Sequence, residues 1–191
     1  LTLTSPIGVI QWQTSSTSGG TYTNMVGLTA STLPSASINN TSTAFYKAVV
    51  TNGVCAAATI TATVNVDLAT VPGTATLSGN ATICSSTTAP VINLTGNTGL
   101  IQWQSSLTSG GTFTNTTGTT SPLVDNITTK YYRALVKSGV CSALPSNEIL
   151  VTVNLASSAG TITPVTQTIC YSGTPAAIAL TSSVGTIQWQ T

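Results

Sequence analysis

Residues 99–106 read Gly-Leu-Ile-Gln-Trp-Gln-Ser-Ser, and this stretch decides the fold. Ile101 and Trp103 alternate with Gln102 and Gln104, the period of two expected of a strand with one apolar and one polar face. The same four residues return as Ile10-Gln11-Trp12-Gln13, 91 residues earlier, and as Ile187-Gln188-Trp189-Gln190, 86 residues later. Other anchors keep the spacing: Cys55 and Cys141 are 86 residues apart, and so are Cys84 and Cys170. The string TSGGTYTN from Thr17 parallels TSGGTFTN from Thr108, and Phe45-Tyr46-Lys47-Ala48 parallels Tyr131-Tyr132-Arg133-Ala134. Five extra residues before Phe45 account for the offset of 91 against 86.

A period of this length exceeds the ~20–50 residues of a solenoid rung or a propeller blade and suits one small all-β domain per copy. The phase predicts a partial copy over 1–69, a complete one over 70–156 and a partial one over 157–191, a segment of a longer tandem array. Within the complete copy the pattern predicts strand A at 73–83, B at 90–95, C at 100–105 and C′ at 111–115. A D/E region follows at 117–128, then F at 129–137 and G at 147–154. About seven short strands around one Trp on an early central strand predict a tandem immunoglobulin-like β-sandwich with a repeat of ~86 residues. Trp12, Trp103 and Trp189, each sharing a face with an Ile, are expected in the cores, as are Tyr46 and Tyr132.

Composition narrows the chemistry. Only seven of 191 residues are charged, none is His, and 40 Thr with 23 Ser make a third of the chain hydroxylated. The net charge of +1 offers no electrostatic footprint for nucleic acid. No apolar run approaches the ~18 residues of a membrane helix, so no membrane insertion is expected. Without His, paired carboxylates or a nucleophile beside a base, no catalytic constellation is expected and no cofactor is implied. The acids, Asp67, Asp125 and Glu148, stand far apart in sequence, so neither a clustered calcium site nor any other metal site is expected.

The four cysteines read as disulfide formers. The first choice is Cys84–Cys141 inside the complete copy, with Cys55 and Cys170 pairing outside the segment. In standard sandwich order, however, the end of strand A and the F–G turn lie at opposite ends, so either the first strand is shorter or shifted, or the bond joins neighbouring domains as Cys55–Cys84 or Cys141–Cys170. Thr-x-Thr strings such as Thr21-Tyr22-Thr23 and Thr112-Phe113-Thr114 read as neutral strand exteriors. The candidate ligand face lies on the outer side of strands C and F: Gln102, Gln104, Tyr131, Arg133 and Lys137, with Gln11, Gln13, Phe45 and Lys47 in the first copy. Planar amides, an aromatic ring and a cation on a flat sheet are groups that could hold a glycan; an ordinary solvated sheet face is the competing reading.

The combination ICSSTTAP, GLIQWQSS, GGTFTN, TTKYYRALVKSGVCS and SNEILVTVN resembles the Ig-like repeats of very large surface proteins of gliding Bacteroidetes, the SprB-type adhesins exported by type IX secretion. The resemblance covers nearly the whole chain. It implies an extracellular, cell-surface filament, anchored at the outer membrane of a Gram-negative bacterium, with adhesive or gliding-motility roles. The partners it implies are surface polysaccharide or another substratum ligand, and the secretion and motility machinery through other parts of the chain.

Overall fold

The computed structural model describes residues 1–190. The protein is all-β, and its chain divides into two compact units. Leu1–Ala69 groups with Gly139–Cys141, and Thr70–Ser138 groups with the chain from Ser142 onward.

The first unit holds one antiparallel sheet. Its strands are β1 (Val9–Ser15), β2 (Thr23–Asn24), β3 (Ala44–Thr51) and β4 (Ala58–Val64), in the order β2-β1-β3-β4. Trp12 faces Ala48 across β1 and β3, and the small partner leaves room for the indole. One face buries Ile10, Trp12, Tyr46 and Ala48 together with Leu33 from the long β2–β3 connection.

The second unit is a sandwich. β5 (Thr74–Ser78), β6 (Thr82–Cys84), β7 (Val91–Thr95), β8 (Leu100–Ser106), β9 (Thr114–Asn115), β10 (Lys130–Lys137), β11 (Leu144–Pro145) and β12 (Ile149–Asn154) follow in order. The larger sheet runs β6-β12-β10-β8-β9, with β11 also on β10, and the smaller pairs β5 with β7. Trp103 faces Ala134, the counterpart of the Trp12–Ala48 pair. The core between the sheets contains Ala75 and Ile92 from one side and Trp103, Tyr132, Ala134, Val136 and Val151 from the other. These residues alternate along their strands as the sequence predicts.

Two expectations need correcting, and a third shifts slightly. Strand A is not continuous over 73–83: Gly79, at φ 105°, turns the chain, so β5 pairs with β7 while β6 crosses to run parallel to β12. The D/E region at 117–128 forms no strand. Strand G starts at Ile149, two residues later than expected, after the break at Ser146-Asn147-Glu148 that separates β12 from β11.

Beyond Asn154 the chain forms β13 (Thr161–Thr163) and β14 (Ala179–Thr181), one two-stranded antiparallel pair. This stretch groups with the second unit, and Thr191, the last residue of the expected third domain, lies outside the described residues. Trp189 is 54% exposed here, against the expectation of a core residue. Trp12, Trp103, Tyr46 and Tyr132 are buried as expected.

Candidate functional site

Cross-strand register brings most of the expected ligand face together. Gln104 sits opposite Arg133, Ser106 opposite Tyr131, and Gln102 opposite Leu135, all on the side away from the core. Lys137 does not join them: it pairs with Leu100 at the far end of β10, four residues or ~13 Å from Arg133.

The amides of this face are spent on the protein itself. Gln102 Nε2 donates to the carbonyls of Trp103 (2.9 Å) and Thr116 (3.1 Å). Gln104, only 8% exposed, donates from Nε2 to Asn115 Oδ1 at 3.0 Å and accepts at Oε1 from Arg133 Nε at 3.1 Å. The Arg133 guanidinium in turn stacks 3.8 Å above the Phe113 ring. An amide ladder and a cation–π contact thus tie the short β9 ribbon to β8 and β10.

The first unit repeats the arrangement with different ends. Gln11 Nε2 donates to the carbonyls of Trp12 and Met25, and Gln13 Nε2 donates to Asn24 Oδ1 at 2.8 Å. Lys47 Nζ stands 4.3 Å above the Tyr22 ring. Gln13 Oε1 is buried and has no partner among the described residues, because an ammonium over the ring does not also reach it. Phe45, expected on this face, is half-buried opposite Ser15. The partners Phe113, Asn115, Tyr22 and Asn24 were missed as site residues, although the repeated Thr-aromatic-Thr-Asn string carried them.

The start of β10 holds the clearest electrostatics. Lys130 Nζ lies 2.8 Å from Asp125 Oδ2. That hydrogen bond, chiefly, holds the Asp125 carboxyl below its usual range against a small opposing effect of burial. The Asp125 backbone N–H donates to the Tyr132 hydroxyl at 2.8 Å, as that of Asn39 does to Tyr46 at 2.7 Å. Burial pushes the Tyr132 hydroxyl pKa up, and the Asp125 N–H only partly offsets it.

The first-choice Cys84–Cys141 bridge is not formed among the described residues. All four cysteines are free thiols. Cys84 ends β6 beside Asn154, at the edge where β10 begins, whereas Cys141 follows the far end of β10. The seven steps of β10 alone span ~23 Å, against the ~7 Å limit for a bridge. The Cys141 thiol instead donates to the Leu68 carbonyl at 3.4 Å.

A family model described as "Domain of unknown function (DUF8696)" matches residues 1–70 and 73–155. No curated protein and no solved structure matches the chain.

Proposed function

We propose that the chain, which belongs to that family of domains, serves as a non-catalytic structural repeat segment, a stretch of stalk in a long extracellular filament at the cell surface. Adhesion and gliding motility, secretion by the type IX route and anchoring at an outer membrane are parts of this reading that rest on the resemblance of the repeats to SprB-type adhesins.

One observation carries the mechanical part. In the second unit, β6 near the chain's entry and β12 near its exit run parallel, with Thr82 opposite Thr152 and Cys84 opposite Asn154. Flanking bonds extend the pair: Thr152 N donates to the Ala81 carbonyl at 2.8 Å and Ser85 N to the Asn154 carbonyl at 2.7 Å. Tension on the two ends pulls parallel neighbours past each other, so their hydrogen bonds are loaded together and not one by one. With 4% charged residues little of this resistance is ionic, and it is expected to vary little with salt.

Force-ramp stretching of the full chain, tethered at its ends, tests the reading. Thr152→Pro removes the donor to Ala81 and is expected to lower the unfolding force of one event. A chain that extends without discrete events, or a force indifferent to Thr152→Pro, would count against a stalk.

A further inference from the structure

The core-facing row of β1 reads Ile10, Trp12, Thr14, and that of β8 reads Ile101, Trp103, Ser105. In both units the row turns from apolar to hydroxyl one step beyond the indole. At that point each unit has a concavity, of about 370 Å³ in the first and about 400 Å³ in the second. Thr14, Ser15, Thr21 and Thr23 line the first. Their counterparts 91 residues on, Ser105, Ser106, Thr112 and Thr114, line the second. The Thr-x-Thr strings therefore place both hydroxyls on the concave side, while Tyr22 and Phe113 between them point to the opposite face under Lys47 and Arg133.

The hydroxyls are held in a common pattern. Thr14 lies opposite Thr23, and Ser105 opposite Thr114. Thr23 Oγ1 donates to the Thr14 carbonyl at 3.3 Å and Thr114 Oγ1 to the Ser105 carbonyl at 3.4 Å, so both present lone pairs outward. Ser15 Oγ and Ser106 Oγ accept from Thr17 N (3.3 Å) and Thr108 N (3.2 Å). Gly20 and Gly111 lie against the same hydroxyls. A Cβ at either would collide with the Thr17 or Thr108 hydroxyl and approach Ser15 or Ser106 Oγ at 3.1 Å. Neither glycine has a positive φ, so the hydroxyl cluster, not the backbone conformation, asks for glycine there.

We propose that these two concavities are repeated binding sites for a neutral saccharide. Their size falls in the range of small-molecule clefts, roughly 300–1,000 Å³. The first has no charged residue in its lining, so an ionic ligand would lose its hydration there without a counter-charge. An apolar ligand would strand the hydroxyls. A polyol supplies donors for the outward lone pairs and acceptors for the remaining hydroxyl protons. Lys130, in the lining of the second only, is already paired with Asp125. The proposal goes beyond the stalk reading and does not depend on it.

Amide NMR spectra of the full chain, titrated with neutral trisaccharides of glucose, mannose or N-acetylglucosamine to roughly 20 mM, would detect affinities in the millimolar range. At least one probe is expected to shift the amides of residues 14–16 and 21–23 together with those of 105–107 and 112–114, unchanged by added sodium chloride. Thr14→Val with Thr21→Val should abolish the first set and keep the second, which doubles as the folding control. No shift with any probe, shifts centred on Arg133 and Phe113, or a first set that survives the double substitution would overturn the proposal.

Discussion

Asn147 holds both backbone polar atoms of Ala75: the Ala75 N–H donates to Asn147 Oδ1 at 2.7 Å, and Asn147 Nδ2 donates to the Ala75 carbonyl at 3.0 Å. A side chain from the interruption between β11 and β12 thereby does for β5 what a neighbouring strand would do. Asn147 belongs to a stretch with no counterpart in the first copy: Cys55 to Val64 is nine residues, Cys141 to Val153 twelve. The adjacent Glu148 caps the β8–β9 turn, accepting from Ser109 Oγ at 2.9 Å and from Gly110 N at 3.1 Å.

Asn147→Ala is expected to destabilise the second unit by about 1–3 kcal/mol, because it leaves the buried Ala75 N–H and carbonyl unpaired. Urea unfolding followed by Trp fluorescence should show a lower midpoint at constant slope for that transition. Asn147→Asp keeps the acceptor and should cost less. An unchanged midpoint for the Ala variant would show that water replaces the amide without loss.

The alternation around Trp103 and Tyr132 made the core legible, because period two sets the faces of a strand whatever its partner. The choice of sheet was not legible in the same way. Thr74–Ser78 and Thr82–Cys84 read as one strand, and only the facing surfaces of β7 and β12 decide that they part at Gly79. Likewise Gln104 and Arg133 were placed on one face correctly. That the Gln104 amide is fully paired and the Arg133 plane covered depends on Asn115 and Phe113, which a turn folds back over β8.

The thiols give a second prediction. Cys55, Cys84 and Cys170 are exposed and Cys141 is half-buried, and none is bridged. Native protein purified without reductant should titrate four thiols, Cys141 reacting last. Adding reductant should leave the thermal midpoint unchanged. Fewer than four thiols, or a midpoint that falls on reduction, would restore a disulfide.

Tyr132 makes stability depend on alkaline pH. Its hydroxyl titrates above the ordinary tyrosine value in the folded state, so the unfolded chain loses its proton first as pH rises. The contribution is full below about pH 10 and is lost as pH climbs through the raised folded value. Urea midpoints of the second unit should therefore fall above about pH 10. Tyr132→Phe should flatten that fall while costing about 0.5–1.5 kcal/mol at neutral pH through the lost bond to Asp125 N–H. An equal alkaline fall in the Phe variant would assign the effect to other groups.

The two copies of the outer clasp differ at the ring, Tyr22 for Phe113, and at the cation, Lys47 for Arg133, and the cation sets the last prediction. Arg133 does two things at once: its plane stacks on Phe113 and its Nε satisfies Gln104 Oε1. Lys47 keeps the stacking on Tyr22 but leaves Gln13 Oε1 buried without a partner. A planar guanidinium has donors along its edge while its face lies on the ring, which a single ammonium lacks. Lys47→Arg should therefore stabilise the first unit by up to ~1 kcal/mol, and Arg133→Lys should destabilise the second by ~1–2 kcal/mol. In urea melts the gain should vanish in a Gln13→Leu background, where no carbonyl oxygen waits to be satisfied, and the cycle isolates that single bond. If Lys47→Arg gains as much in that background as beside the native Gln13, stacking alone explains it and the orphaned oxygen is irrelevant.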